Sequence, residues 1–317
     1  MKKYLSLFLF AASLAFFSCG DDEPIVPSAA TKADTPYSLI GDDAMVYAGR
    51  REVPAISDPS MFVVHYYTNS EGNVVINYCL EWDKELRCQR WSAYYINASN
   101  NKKSYDRSSW RNGAQWKGQW WNSDPFQEDS VIPAAFRTTL ADHWNNGYDR
   151  GHIVNSNDRL CSQSANGQTF YLSNVHPQRS DFNGSAPGGG IWLNFENRVN
   201  AWGKALRGNE YLFIVKGGST RKTDLVTKPF IDDARCNIPV PAYFFMAVLK
   251  YNNDNTYQAI GFWAKHERNQ DTNVKAYTKS IDELESLTGI DFYHNLDDAI
   301  ENAVEKSKDL NKWIWAS

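Results

Sequence analysis

The chain has 317 residues, 42% hydrophobic, 22% charged and 14% aromatic with 12 Trp, which is ample for a packed core. That composition excludes an overall disordered chain, a coiled coil, a collagen-like fibre and a polytopic membrane protein. The formal charge of −4 and pI near 5.9 mean that a polyanionic partner must be met by a local basic patch, because the molecule as a whole does not attract one.

At the start, Lys2 and Lys3 precede an apolar stretch from Tyr4 to Phe17 that is too short for the roughly 20 residues of a spanning helix. This is the pattern of a secretory signal peptide over 1–18. It ends in Phe16-Phe17-Ser18-Cys19-Gly20, which resembles a bacterial lipoprotein box with Cys19 as the lipid anchor. The alternative is a secreted protein with ordinary cleavage nearby. Removal of 1–18 would make the mature chain two charges more negative. Asp21, Asp22 and Glu23 open a polar Pro/Ser/Ala tract that reads as a flexible tether to about residue 37. Acids beside a lipidated Cys resemble the surface-export signals of some Gram-negative lipoproteins, although linkers are commonly charged anyway. The expected location is the cell envelope, as an outer-membrane lipoprotein facing the periplasm or the surface. Four cysteines remain, Cys79, Cys88, Cys161 and Cys236. An exported chain can oxidise them, and Cys79 with Cys88 is the candidate local bridge, against the alternative of four free buried thiols. Nothing in their spacing suggests zinc.

Strand-like runs recur at 61–67, 73–80, 91–96, 169–175, 211–217, 243–251 and 257–264. Helical spacing places Ile191, Phe195, Val199, Trp202 and Leu206 on one face. Ser280-Ile281-Asp282-Glu283 has the form of a capping box and predicts a second helix, and 297–310 predicts a third. Strands and helices mix without regular βαβ alternation and without repeats, so the expected class is α+β, with one domain over 38–317.

Tyr148-Asp149-Arg150-Gly151-His152 lies in a polar Gly/Asn context. A His beside an Arg suits phosphoryl chemistry, with the imidazole taking a proton from water and the guanidinium holding phosphate oxygens. By itself, a His in a loop is usually an ordinary surface side chain. It is followed in order by Phe170-Tyr171-Leu172-Ser173-Asn174-Val175-His176-Pro177-Gln178, by Asp181-Phe182-Asn183, and by Ile191-Trp192 and Phe195-Glu196. This ordered set closely resembles the DNA/RNA non-specific endonuclease family, whose ββα-metal core carries a DRGH motif. Further matches are Asn77 to Asp83, Arg90-Trp91, Asp124-Pro125, Ile238 to Pro241, and Glu285 to Phe292, so the resemblance covers most of 48–296.

The resemblance implies a ββα-metal nuclease core within a strand-rich single domain. It makes His152 the general base and Asn183 the one direct protein ligand of a Mg²⁺ otherwise coordinated by water, with Mn²⁺ as a substitute. Such coordination is what Mg²⁺ prefers. Glu196 would hold waters around the ion, and Asn174 and Gln178 would support the site by hydrogen bonds. Arg150 would contact phosphate or brace its loop, and Asp149 would tie the hairpin down. The substrates implied are DNA and RNA, cut to 5′-phosphate ends. His143 and His176 match no role and read as surface or structural residues. Without the family match, Asn183 is a turn residue and Glu196 a solvent-facing acid on a helix. Trp110, Trp116, Trp120 and Trp121 are open to base stacking, core packing or sugar binding.

Two features depart from the family pattern. Gly184-Ser185-Ala186-Pro187-Gly188-Gly189-Gly190 is a Gly-rich insertion that breaks any single helix from Asn183 to Glu196 and bears on their geometry. Family members often carry another phosphate-binding Arg shortly before the Asp-Pro pair; the region offers Arg107 and Arg111, and Arg111 is the one expected. Two rival functions stay open: an envelope lipoprotein that binds nucleic acid or glycan through its Trp-rich surface without cleaving, and a phosphodiesterase for small substrates. Oligomeric state leaves no readable signature.

Overall fold

The computed structural model describes residues 50–58, 61–112, 115–116, 119–120, 124–144, 146–226, 238–269 and 271–315. The leader, Cys19, the tether, Trp121 and Cys236 lie outside them. Three long strands come first, β1 (Phe62–Thr68), β2 (Val74–Asp83) and β3 (Cys88–Asn97), then two short ones, β4 (Gln115–Trp116) and β5 (Gln119–Trp120). A hairpin follows from β6 (Asp149–His152) and β7 (Val175–Gln178), with helix α1 (Gln163–Gln168) between its strands. Next are α2 (Ser180–Asn183) and α3 (Ile191–Ala205), then β8 (Tyr211–Gly218), β9 (Tyr243–Tyr251), β10 (Tyr257–Lys265), β11 (Thr278–Lys279), α4 (Ile281–Thr288) and α5 (Asp298–Glu305).

The long strands form an antiparallel sheet in the order β1-β2-β3-β8-β9-β10-β11. Because side chains alternate along a strand, β8 sends Leu212 and Ile214 to one apolar cluster and Phe213 and Val215 to another. Both faces are therefore covered. On the first lie α3 and the segments flanking the β6–β7 hairpin, including Ile153, Val154 and Phe182. On the second lie α4 and α5, through Ile281, Leu284 and Val304. All five residues expected on the buried stripe of α3 are buried. Each contributes roughly 1.5–3 kcal/mol on full burial, so packing rather than propensity holds this helix. The capping box forms as expected at Ser280 and Glu283, and Gly289 ends α4 in the left-handed conformation.

Two expectations fail. The run 169–175 is not a strand: Leu172–Asn174 is a 3-10 turn, and Val175 only begins β7. Its polar side chains replace ladder pairing, since Asn174 bonds the backbone of Val154 and Thr169. The Cys79–Cys88 bridge does not form. The β2–β3 register sets Cys88 opposite Asp83 and Cys79 opposite Ala93, and both thiols are free and buried. Burial pushes the Cys79 thiol up to about 12 and raises that of Cys88 as well.

Candidate active site

The β6–β7 hairpin pairs Asp149 with Gln178 and Gly151 with His176, so the charged tetrapeptide is a strand. Gly151 is dictated by its neighbour: a Cβ there would lie 2.2 Å from the Gln178 side chain. Gln178 is buried with both amide atoms unpaired, so it supports the site by packing against Gly151 and not through the expected hydrogen bonds. Asn174 does act through hydrogen bonds. Its Oδ1 accepts from Val154 N at 2.8 Å, and its Nδ2 donates to Val154 O at 3.0 Å, which fixes the backbone just after His152.

Beyond the hairpin, α2 ends at Asn183 and the chain loops out before α3 starts at Ile191. The insertion does interrupt the helix, and it is clenched at its base. A Cβ at Gly190 would lie 2.2 Å from Phe182 O, while Gly184 has φ +99°. That close approach carries the chain across the insertion, and a cleft of about 650 Å³ is lined by His152, Asn183, Glu196, Arg150, Asp149 and Arg107 among others. Asp149 ties Asn183 in place, since Asn183 Nδ2 donates to its Oδ2 at 3.0 Å and the Ser185 hydroxyl donates to the same oxygen. The hydrogen bond engages the amide nitrogen, so that the carbonyl oxygen is the atom with which Asn183 could hold a cation.

His152 sits between aromatic rings, with centroids 5.0 Å from Phe170 and 5.2 Å from Phe126, and its Nε2 is buried without a hydrogen-bond partner. Burial, then the charges of Arg107, Lys216 and Arg150, hold its pKa well below the usual imidazole value. The lowered pKa favours the neutral ring. Its carbonyl accepts from Trp192 Nε1 at 3.1 Å, which joins β6 to α3.

Glu196 is not the solvent-facing acid of its helical pattern. It is buried, and its Oε1 lies 3.0 Å from Nζ of Lys216. Lys216 is fully buried and also stands 4.9 Å from the Trp192 ring centroid. Burial pushes the Glu196 carboxyl up and Lys216 opposes it. The sequence reading passed over Lys216, yet its position in β8 shares parity with Leu212 and Ile214, so a lysine had to enter the α3 layer there.

Arg150 Nη1 pairs with Asp124 Oδ2 at 2.9 Å, and its guanidinium stands 4.2 Å from the Phe126 centroid while lining the cleft. Asp124 of the Asp-Pro pair is its brace. The 3-10 helix Arg107–Asn112 brings Arg107 to the cleft, 5.2 Å over the Phe170 ring, while the side chain of Arg111 lies outside the described residues. A neighbouring pocket of about 400 Å³ shares Arg107 and Arg150 with the cleft. Trp110 is a core residue, 2% exposed and donating to Asn166 at 2.7 Å, so it offers no face for stacking. The side chains of Trp116 and Trp120 lie outside the described residues. His143 and His176 are buried, with imidazoles held down at about 4 and about 3, and are structural. His266 is a further missed residue. Its Nε2 accepts the Arg179 N–H at 2.7 Å, and its Nδ1 donates to Pro241 O at 2.8 Å, which fixes the start of the helix that ends in Asn183.

Residues 59–299 match the family described as DNA/RNA non-specific endonuclease. A nuclease of Nostoc sp. is 30% identical over 219 residues, covering 68% of this chain and 76% of its own. Nuclease C1 of Cunninghamella echinulata is 26% identical, covering 70% of this chain and 82% of its own. Among solved structures, one from the EndoG/EndoGI complex shares the fold with a TM-score of 0.56 at 21% identity, over 75% of this chain and 88% of that one.

Proposed function

The chain belongs to the DNA/RNA non-specific endonuclease family, a family of metal-dependent hydrolases of phosphodiester bonds, and from that premise we propose a Mg²⁺-dependent endonuclease that cuts DNA and RNA to 5′-phosphate ends. The observation that carries this reading is the meeting of His152, Asn183 and Glu196 in one cleft with Arg107 and Arg150. Arg107, rather than Arg111, is proposed to hold the phosphate, with Arg150 beside it. His152 takes a proton from water, the resulting hydroxide attacks phosphorus, and the bond to O3′ breaks with its electron pair going to O3′, which takes up a proton from solvent water. A bound phosphodiester offsets Arg107 and Arg150, two of the three cations that depress the imidazole, and so raises its basicity in the complex.

The residues present fit a hard divalent ion: Asn183 offers a neutral carbonyl oxygen with its amide nitrogen already engaged, and Glu196 is a nearby carboxylate of the same cleft. Asn183 would hold Mg²⁺, or Mn²⁺ in its place. When bound, the ion supplies positive charge against the phosphate oxygens and eases departure of O3′. Lys216 holds Glu196 in the cleft wall.

Export as an envelope lipoprotein, with leader 1–18, lipidated tether 19–37 and nuclease domain 38–317, completes the proposal and rests on the Cys19 pattern. The test is nicking of plasmid and cleavage of RNA by protein lacking residues 1–19, with Mg²⁺, with EDTA and with His152→Ala. Nicking that needs metal and His152 is expected. A folded protein that leaves both polymers intact in Mg²⁺, Mn²⁺ and Ca²⁺ overturns the reading. Loss of membrane association in Cys19→Ala tests the anchor.

A further inference from the structure

The segment from Glu285 to Phe292 fits the family pattern but takes no part in the cleft. It lies with α4 and α5 on the other face of the sheet. There Asp282, Glu285 and Glu305 converge, with one carboxylate oxygen from each within 4.8 Å of the others. Oxygens that each lie about 2.3–2.6 Å from one Ca²⁺ are separated by no more than about twice that, so the three fit one coordination sphere. Convergence of acids alone is common on surfaces. What sets this group apart is Glu305, 7% exposed, whose Oε1 is buried with no hydrogen-bond partner. A buried acceptor in that condition is costly unless something meets it.

The neighbouring charges make matters worse. Those acting on Glu305 are Glu285, Glu301, Asp282 and Asp291, all acids. Those acting on Glu285 are Asp291, Asp282 and Glu301. Asp282 and Glu285 stand three apart on one helix face, and Glu305 ends α5, where the helix dipole is negative and the last turn holds no basic residue. Burial and these neighbours push Glu285 up to about 7 and Glu305 up to about 8. Glu285 is already oriented, since its Oε1 accepts the Phe292 N–H at 2.8 Å.

We propose that Asp282, Glu285 and Glu305 bind a Ca²⁺ ion that clamps α4 to α5, as a second metal site separate from the catalytic cleft. Three carboxylates in irregular array suit Ca²⁺, whereas Mg²⁺ demands near-octahedral geometry and gives up its waters reluctantly. Asp282 and Glu285 are half-buried, which leaves the ion a path and room for water ligands.

The test is thermal unfolding and equilibrium Ca²⁺ binding of the EDTA-stripped, dialysed full chain in an Asn183→Ala background, which isolates the effect from the cleft. Millimolar Ca²⁺ is expected to raise the melting temperature by several degrees, with one ion bound per chain, because the ion binds only the folded state. Adding Glu305→Gln should abolish both the shift and the bound ion. Asp282→Asn, at a half-buried position, gives the same readout should Glu305→Gln fail to fold. A Ca²⁺ shift that survives in these variants, or no shift and no bound ion in the background protein, overturns the proposal.

Discussion

The two faces of the central sheet each bury an acid and treat it in opposite ways. On the cleft face Glu196 meets a fully buried lysine 3.0 Å away, so its charge is balanced within the protein. On the other face the charges acting on Glu305 are further acids, and one of its oxygens has no partner. The difference teaches where this chain has built its own electrostatics and where it relies on something added. A nuclease cleft must hold its shape before substrate arrives, and Lys216 gives Glu196 a fixed partner from the sheet itself.

The largest break in that comparison comes from the cleft. His152→Ala should lower kcat roughly a hundred- to ten-thousand-fold, the usual worth of a general base, with the melting temperature nearly unchanged. Nicking kinetics alongside thermal unfolding check this. Next comes the buried pair: Lys216→Met should cost about 3–5 kcal/mol by stranding Glu196. Pairing it with Glu196→Gln should recover most of that stability without restoring activity. Urea unfolding of both variants separates the two readouts, and a double variant as unstable as the single one would show that Lys216 is held mainly by Trp192.

A smaller effect concerns His266. Its pKa is lowered to about 4 by burial, so its contribution is present above the unfolded value near 6.5 and is lost as pH falls toward 4. Stability measured across that window should fall less steeply in His266→Gln than in the parent. The smallest is the cysteine pair: the parent should melt at the same temperature with and without reductant, and Cys79→Ala with Cys88→Ala should cost only what two small cavities cost.

The sheet and α3 were legible because their signals are long and periodic, as with Ile191 to Leu206 on one stripe. The hairpin strand Asp149–His152 was not readable as a strand, since four residues with two charges and a glycine carry no period. What was legible there was chemistry, through residue order alone. The run 169–175 misled because aromatic and apolar residues can be buried by a turn as readily as by a ladder, provided a side chain like Asn174 satisfies the backbone. Lys216 was hidden by its surroundings in an apolar run, and His266 by its distance in sequence from Arg179. Arg107 and Arg111 lie in one short 3-10 helix, and residue order alone could not choose between them.

The Gly-rich insertion has a base and a tip with different obligations. Gly184 and Gly190 are pinned by backbone and side-chain atoms, whereas a Cβ at Gly188 or Gly189 would meet nothing within 4 Å, although both have positive φ. Added chain length therefore meets no obstacle at the tip and is blocked at the base, while the positive φ of Gly188 and Gly189 still favours glycine at those two positions. The loop is a place where descendants of this enzyme can acquire new contacts with a polymer outside the cleft while Asn183 stays put, and where an engineer could graft a peptide or a reporter on the same terms.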